Sequence, residues 1–159
     1  MYSSQNAPNF LILGSGETHV EWQLSQLTTH FPGSYNAMIG YNEKLSHQMY
    51  AGADFILMPS RVEPCGLNQM YSMYYGTVPI VRSTGGLKDT VLDMGEFQGW
   101  GIRFNHASPG DITHAISRGI DLYKNKPEHL TWMRNRMMKI DNSWERAVQQ
   151  YINMYEELR

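Results

Sequence analysis

Short unbroken apolar runs alternate with longer stretches in which apolar residues return every third or fourth position. Phe10 to Leu13, Phe55 to Met58 and Val78 to Val81 are runs of the first kind, each bounded by turn residues. They predict strands buried on both faces. Ala37 to Ile39 and Gly101 to Phe104 predict two further short strands. Between them the spacing is helical. Val20, Leu24, Leu27 and Phe31 mark the inward stripe of a helix over Glu17 to Phe31, which Pro32-Gly33 ends. Leu45 and Met49 mark another over Glu43 to Gly52. Leu67, Met70, Tyr71 and Tyr74 mark a third that starts near Gly66 or Leu67.

The last third of the chain reads as helices. Ser108-Pro109-Gly110-Asp111 supplies a cap, a proline at the first helical position and an acid two residues on. Ile112, Ala115, Ile116, Gly119, Ile120 and Tyr123 then follow at helical spacing. Pro127 opens a helix over Glu128 to Met138 with Leu130, Met133 and Met137 inward, and Ser143 caps a final one. Trp144, Val148, Tyr151, Tyr155 and Leu158 share a face of that last helix, and this stripe is expected to be core.

Strands alternating with helices predict an α/β fold with a parallel sheet. In such sheets ligands bind outside the carboxyl ends of the strands. Three loops fall there. Tyr41 stands at the turn after the Ala37 to Ile39 strand. Ser60-Arg61-Val62-Glu63-Pro64-Cys65-Gly66 follows the Phe55 to Met58 strand, and Thr84-Gly85-Gly86 follows the Val78 to Val81 strand. Glu63 lies just ahead of a helix amino terminus, whose amides favour an anion such as a diphosphate. A carboxylate is awkward beside a phosphate, so Glu63 is aimed at a sugar, or else it is a solvated loop acid or a capping group. Adjacent glycines let a backbone approach something closely, so Gly85-Gly86 is a site loop or a plain turn. Cys65 reads as a small buried hydrophobe rather than a nucleophile. The Gly14-Ser15-Gly16 turn is a weak signal: position 19 is His19, not the third glycine of a dinucleotide fingerprint, and no ribose-binding acid follows. It reads as a tight turn between strand and helix, and a nicotinamide-dependent oxidoreductase is disfavoured.

Composition narrows this further. The length of 159 residues fits one domain, and 42% apolar content fits a globular one. A net charge of −2 with no basic block gives no case for nucleic acid or an anionic membrane. No apolar run is long enough to span a bilayer, and no signal-peptide pattern opens the chain. The single cysteine fits a reducing, cytoplasmic compartment. The six histidines are scattered, so no metal is expected.

The stretch EPCGLNQMYSMYYGTVPIVRSTGGLKDTV, Glu63 to Val91, resembles the signature of bacterial glycogen synthases and plant starch synthases. The resemblance runs from about Phe10 to the last helix. It implies a retaining GT-B glucosyltransferase, built from two Rossmann-like domains with helices on both faces of each sheet. Residues 1–9 are then a flexible segment and 10–159 part of the carboxyl-terminal, donor-nucleotide domain. The first strand and helix and the whole amino-terminal domain are expected to be missing, so that the isolated chain is inactive and its opened edge prone to weak self-association.

By the same resemblance, Glu63 faces the glucosyl group, Tyr41 stacks on adenine, and the amides of Gly66, Leu67 and Asn68 approach the diphosphate. Thr84, Gly85 and Gly86 lie beside the glucosyl and phosphate groups. Asn68 departs from the usual threonine. Tyr71 stands where many retaining glycosyltransferases carry a second glutamate, as it does in glycogen and starch synthases. The implied reaction transfers glucose from ADP-glucose to the non-reducing end of an α-1,4-glucan with retention, without cofactor or metal. The competing reading is a non-catalytic module that binds a nucleotide sugar or associates with a glucan.

Overall fold

The computed structural model describes residues 8–158, so residues 1–7 of the expected flexible segment lie outside the described residues. The chain divides into two compact units, 1–49 and 50–159. Every paired strand is parallel, as the α/β reading requires, but the strands form two sheets rather than one.

In the first unit, strand β1 (Phe10–Gly14) pairs in parallel with β2 (Tyr35–Ile39), Phe10 opposite Tyr35 and Gly14 opposite Ile39. Helix α1 (Thr18–His30) connects them and packs on β2. Gly33, at φ +79, turns the chain after α1. The Gly16 amide donates to the Glu21 carboxylate at 2.8 Å, and a side chain on Gly14 or Gly16 would meet nothing within 4 Å. That fits the tight-turn reading of the Gly-Ser-Gly sequence. The expected inward stripe of α1 is not buried: Val20, Leu27 and Phe31 are exposed and the helix has no buried residue among those described. A two-stranded sheet offers too little apolar surface to cover a helix.

Helix α2 (Glu43–Gly52) starts at Asn42, whose side-chain carbonyl accepts the Leu45 amide at 2.9 Å. The second unit is built on β3 (Phe55–Met58), β4 (Val78–Arg82) and β5 (Ile102–Phe104), in that order across the sheet. Its helices are α3 (Asn68–Tyr74), α4 (Gly85–Thr90), α5 (Pro109–Asn125), α6 (Pro127–Met137) and α7 (Trp144–Glu157).

Alternation along the strands sorts the core onto both faces of this sheet. Ile56, Met58 and Val81 pack with Leu87 of α4 and Val91. Phe55, Leu57, Ile80, Ile102 and Phe104 pack with Ala115 of α5. Both-sided burial is why the strands read as continuous apolar runs. Gly119 lets α5 lie close on this face: a Cβ there would sit 3.2 Å from Ile80 Cδ1. Met73, Val78, Leu122, Leu130, Met133 and Met137 join α3, α5 and α6 to the amino end of β4.

Three inward stripes of the second unit also differ from expectation. In α3 the buried residues are Gln69, Ser72 and Met73, while Leu67, Tyr71 and Tyr74 are exposed. In α5 Leu122 is buried and Tyr123 is exposed. In α7 no described residue is buried, and Trp144 is 81% and Tyr155 67% exposed, so this stripe is not core in this chain. The capping residues behave as read: Ser108 accepts the Asp111 amide at 3.1 Å and Ser143 that of Arg146 at 3.3 Å.

The loop between α4 and β5 is held by Asp93. Its carboxylate accepts from Arg118 Nη2 at 2.6 Å and Nη1 at 3.1 Å, and from the amides of Arg103 at 2.6 Å and Gly95 at 2.8 Å. Glu96 pairs with Arg103. Burial pushes the Asp93 carboxyl up, but the bonds from Arg118 and the two amides outweigh it and hold the group below its ordinary range. A depressed carboxyl stabilises the fold above its unfolded value, near 4, and that stability is lost as pH falls through the lower folded value. Acid titration of unfolding should therefore show a loss below about pH 4 that is smaller in Asp93→Asn. An equal slope in both proteins would mean that Asp93 is not the group responsible.

Candidate functional site

The residues expected to carry chemistry in the second unit gather where β3 and β4 end, because parallel strands place their carboxyl ends together. The Ser60 to Gly66 loop leaves β3, and the chain enters α4 from β4 at Thr84. Glu63 is half-buried in the first loop, and Ser60 Oγ donates to its Oε2 at 3.1 Å. Among the described residues, its Oε1 has no hydrogen-bond partner and the carboxylate forms no ion pair. The group is held at one oxygen and open at the other.

Two adjacent glycines were expected to permit a close approach, and the approach is between the two loops themselves. The Gly86 amide donates to the Glu63 carbonyl at 3.1 Å. A Cβ on Gly85 would lie 2.0 Å from the Glu63 carbonyl oxygen, and one on Gly86 2.0 Å from that of Cys65. Gly85 also has φ +43, which L side chains rarely adopt. These glycines are not in a plain turn. They begin helix α4, and the Glu63 carbonyl takes the place of a side-chain cap, since Thr84 makes no capping bond. Of the three residues assigned to this loop, Gly86 is buried with its amide engaged, Gly85 is exposed and Thr84 is half-buried.

Gly66, at φ +76, turns the chain into α3, and Leu67 occupies the cap position without a side-chain bond. Asn68 is the first helical residue and is exposed; it does not cap the helix. The first amides of any helix lack acceptors within it, so this turn presents donors next to Gly66. Cys65, expected to be buried, is exposed. Tyr71 is half-exposed, its ring centroid 6.1 Å from that of Tyr50. In the first unit, Tyr41 follows Gly40 (φ +132) at the turn into α2 and is 87% exposed. Among the described residues no three His, Cys, Asp or Glu side chains gather into a metal-holding group, and no helix is long and apolar enough to cross a membrane.

Sequence reasoning missed the two side chains that fasten the loops. Gln69 is fully buried. Its Nε2 lies 3.1 Å from the Cys65 carbonyl, 3.0 Å from that of Gly66 and 3.1 Å from Thr90 Oγ1. Thr90 Oγ1 in turn donates to the Gly86 carbonyl at 2.5 Å. Arg82, at the end of β4, donates through Nη1 to the carbonyls of Ser60 at 3.2 Å and Arg61 at 2.6 Å, and through Nε to that of Asn105 at 3.1 Å. The one available signal was a lone arginine closing an apolar strand.

Parallel strands with helices on both faces of the larger sheet, and loops converging at their carboxyl ends, define a Rossmann-like α/β unit of the kind that binds ligands beyond its strand ends. Residues 3–137 match the family described as glycosyl transferases group 1, and the chain belongs to that family. It is 58% identical over 147 residues to glycogen synthase from Flavobacterium johnsoniae, covering 92% of this chain and 31% of that protein. It is 44% identical over 154 residues to glycogen synthase from Thermodesulfovibrio yellowstonii, covering 97% of this chain and 30% of that protein. The chain thus spans about a third of the length of these relatives. Its structure resembles the catalytic domain of starch synthase IV from Arabidopsis thaliana, solved with ADP and acarbose bound, with TM-score 0.81, 26% identity, and 98% of this chain and 39% of that one covered. Sucrose-phosphate synthase from Thermosynechococcus elongatus shares the fold at TM-score 0.65 and 22% identity, over 93% of this chain and 38% of that one.

The loop contact makes a direct prediction. Gly85→Ala should destabilise the chain by about 1–3 kcal/mol, the usual range for forcing extra volume into a packed contact. Urea unfolding measures it, and an unchanged midpoint would mean that the two loops do not meet through main-chain atoms.

Proposed function

We propose that the chain is the donor-nucleotide part of a glycogen synthase, which transfers glucose from ADP-glucose to the non-reducing end of an α-1,4-glucan with retention. The observation that carries this is the junction of the Glu63 loop with the start of α4, beside the amino end of α3. It fixes the Glu63 carboxylate, held by Ser60, three residues ahead of Gly66, where the chain turns into α3. The sequence likeness to glycogen synthases and the likeness to a starch synthase solved with ADP support the same reading.

In this reading the amides of Gly66, Leu67 and Asn68 receive the leaving diphosphate. Their contribution is local donors rather than a long macrodipole, since α3 has only seven residues. The Glu63 carboxylate lies against the glucosyl ring, where it stabilises the positive charge that develops as the bond to the diphosphate lengthens. Ser60 restrains it without neutralising it. Thr84 and Gly85 border the sugar and its phosphates, and Gly86 holds the loop in place. Tyr41 stacks on the adenine.

Only one carboxylate is assigned, so the reading favours a front-face route in which the leaving phosphate assists deprotonation of the acceptor hydroxyl. It uses no metal and no cofactor, and the cytoplasm supplies the donor. A second domain carries the acceptor surface, and the isolated chain turns over little or nothing.

Two experiments test the assignments. In the two-domain enzyme Glu63→Gln should lower kcat by about 10²–10³, the range for loss of one transition-state contact, with the KM for ADP-glucose nearly unchanged. Equal losses in both would reduce Glu63 to a binding residue, as a non-catalytic module requires. Tyr41→Ala should weaken ADP binding by about 1–3 kcal/mol in calorimetry, as for other aromatics that stack on bases. Unaltered affinity would remove Tyr41 from the site.

A further inference from the structure

A groove of about 450 Å³ opens at the other end of the larger sheet, lined by Trp100, Trp132, Asn135, Arg136, Lys139 and Ile140. Trp100 precedes β5 by two residues, so it lies at the amino end of that strand. Glu63 and Gly85 lie beyond the carboxyl ends of β3 and β4, strands parallel to β5. The groove is therefore not part of the donor site. Its volume falls in the range of about 300–1,000 Å³ usual for small-ligand sites.

Its chemistry is specific. The Arg136 guanidinium carbon stands 5.7 Å from the ring centroid of Trp100 and 5.7 Å from that of Trp132, so one cation links two indoles. Trp132 is 42% exposed. Trp100 Nε1 and Arg136 Nε are buried and, among the described residues, have no hydrogen-bond partner. Trp100, Arg136 and Lys139 can only donate, Asn135 can do both, and no carboxylate lines the groove. The occupant must bring acceptors, and it must also have an apolar face to lie on indole. A simple anion has the first without the second. A pyranose has both, with hydroxyls around its rim and C–H groups on its faces.

We propose that this groove is a glucan-binding site, separate from the donor site, which holds an α-glucan chain against Trp132 and Trp100. The proposal rests on the reading of the chain as part of a glucan-extending enzyme, because that polymer is its acceptor. A long glucan can touch a remote groove while its end is extended elsewhere. Trp132 and Trp100 supply the stacking surface. Arg136, Lys139 and Asn135 bond the hydroxyls.

The test uses this chain in native gels cast with and without glycogen, and in maltoheptaose titrations followed by tryptophan fluorescence. The unaltered chain should be retarded by glycogen, in high salt as in low. Trp132→Ala should lose about tenfold or more in apparent affinity, which is about 1.4 kcal/mol. Trp132→Phe should keep part of it, and Lys139→Ala should weaken it less than Trp132→Ala does. ADP affinity, measured by calorimetry on the same proteins, should not change. No retardation of the unaltered chain, equal retardation of Trp132→Ala, or retardation abolished by salt would each overturn the proposal. So would a loss of ADP affinity in Trp132→Ala, which would make the groove a nucleotide site. Failure of the donor-site reading is distinct: it shows as ADP binding that ignores Tyr41 and turnover that ignores Glu63.

Discussion

The main-chain contact between the Glu63 to Cys65 loop and the first residues of α4 is the constraint on which the candidate site depends. Carbonyl oxygens of one loop occupy the space that side chains at Gly85 and Gly86 would need. No alternative residue gives that contact without moving one backbone or the other. The bond from the Gly86 amide to the Glu63 carbonyl satisfies one of the donors that any helix leaves over at its start. One interaction thus ends the β3 loop, begins a helix and fixes the residue that carries the carboxylate.

Gln69 and Arg82 extend that constraint outward. Gln69 ties the loop to α3 and, through Thr90, to the far end of α4. Arg82 ties the loop's beginning to the strand that precedes α4. Both bond carbonyls in a loop that lacks regular structure, where unpaired buried polar atoms would be costly. A loop fastened to two helices and a strand can hold a carboxylate at one oxygen and leave the other free. Such preorganisation is what an electrostatic role requires, because the group does not have to reorient as charge develops.

The sequence conveyed some of this and not the rest, for physical reasons. Strands buried on both faces must be apolar throughout, so β3 and β4 were legible almost to the residue. Helix starts at Ser108 and Ser143 were legible because capping depends on the local chain alone. The paired glycines were legible as a place of close approach, though what approaches could not be known from them. The inner face of α3 was misread because its most buried side chain is polar. Gln69 is inside to serve carbonyls, and hydrophobic spacing cannot register such a residue. Tyr71 and Tyr74 misled in the opposite sense, being large, partly apolar and exposed.

Helices α1 and α7 teach something different. Their stripes are real, yet Phe31, Trp144 and Tyr155 are exposed. A stripe records that a helix has evolved to meet a neighbour; it carries no coordinate for that neighbour, and the interior of a single unit is only one place to find it. Burial in α5 and α6, by contrast, was read well at Ala115, Leu130, Met133 and Met137, because α5 lies on β4 and β5, and α6 on α5 and α3, within the same unit. The same distinction applies to Trp132. Its indole is exposed on a helix whose opposite face is fully packed, so its position is not needed to bury the core. Its ring meets the Arg136 guanidinium and the His129 ring rather than the apolar interior, so it belongs to a polar surface and not to the packing of the unit.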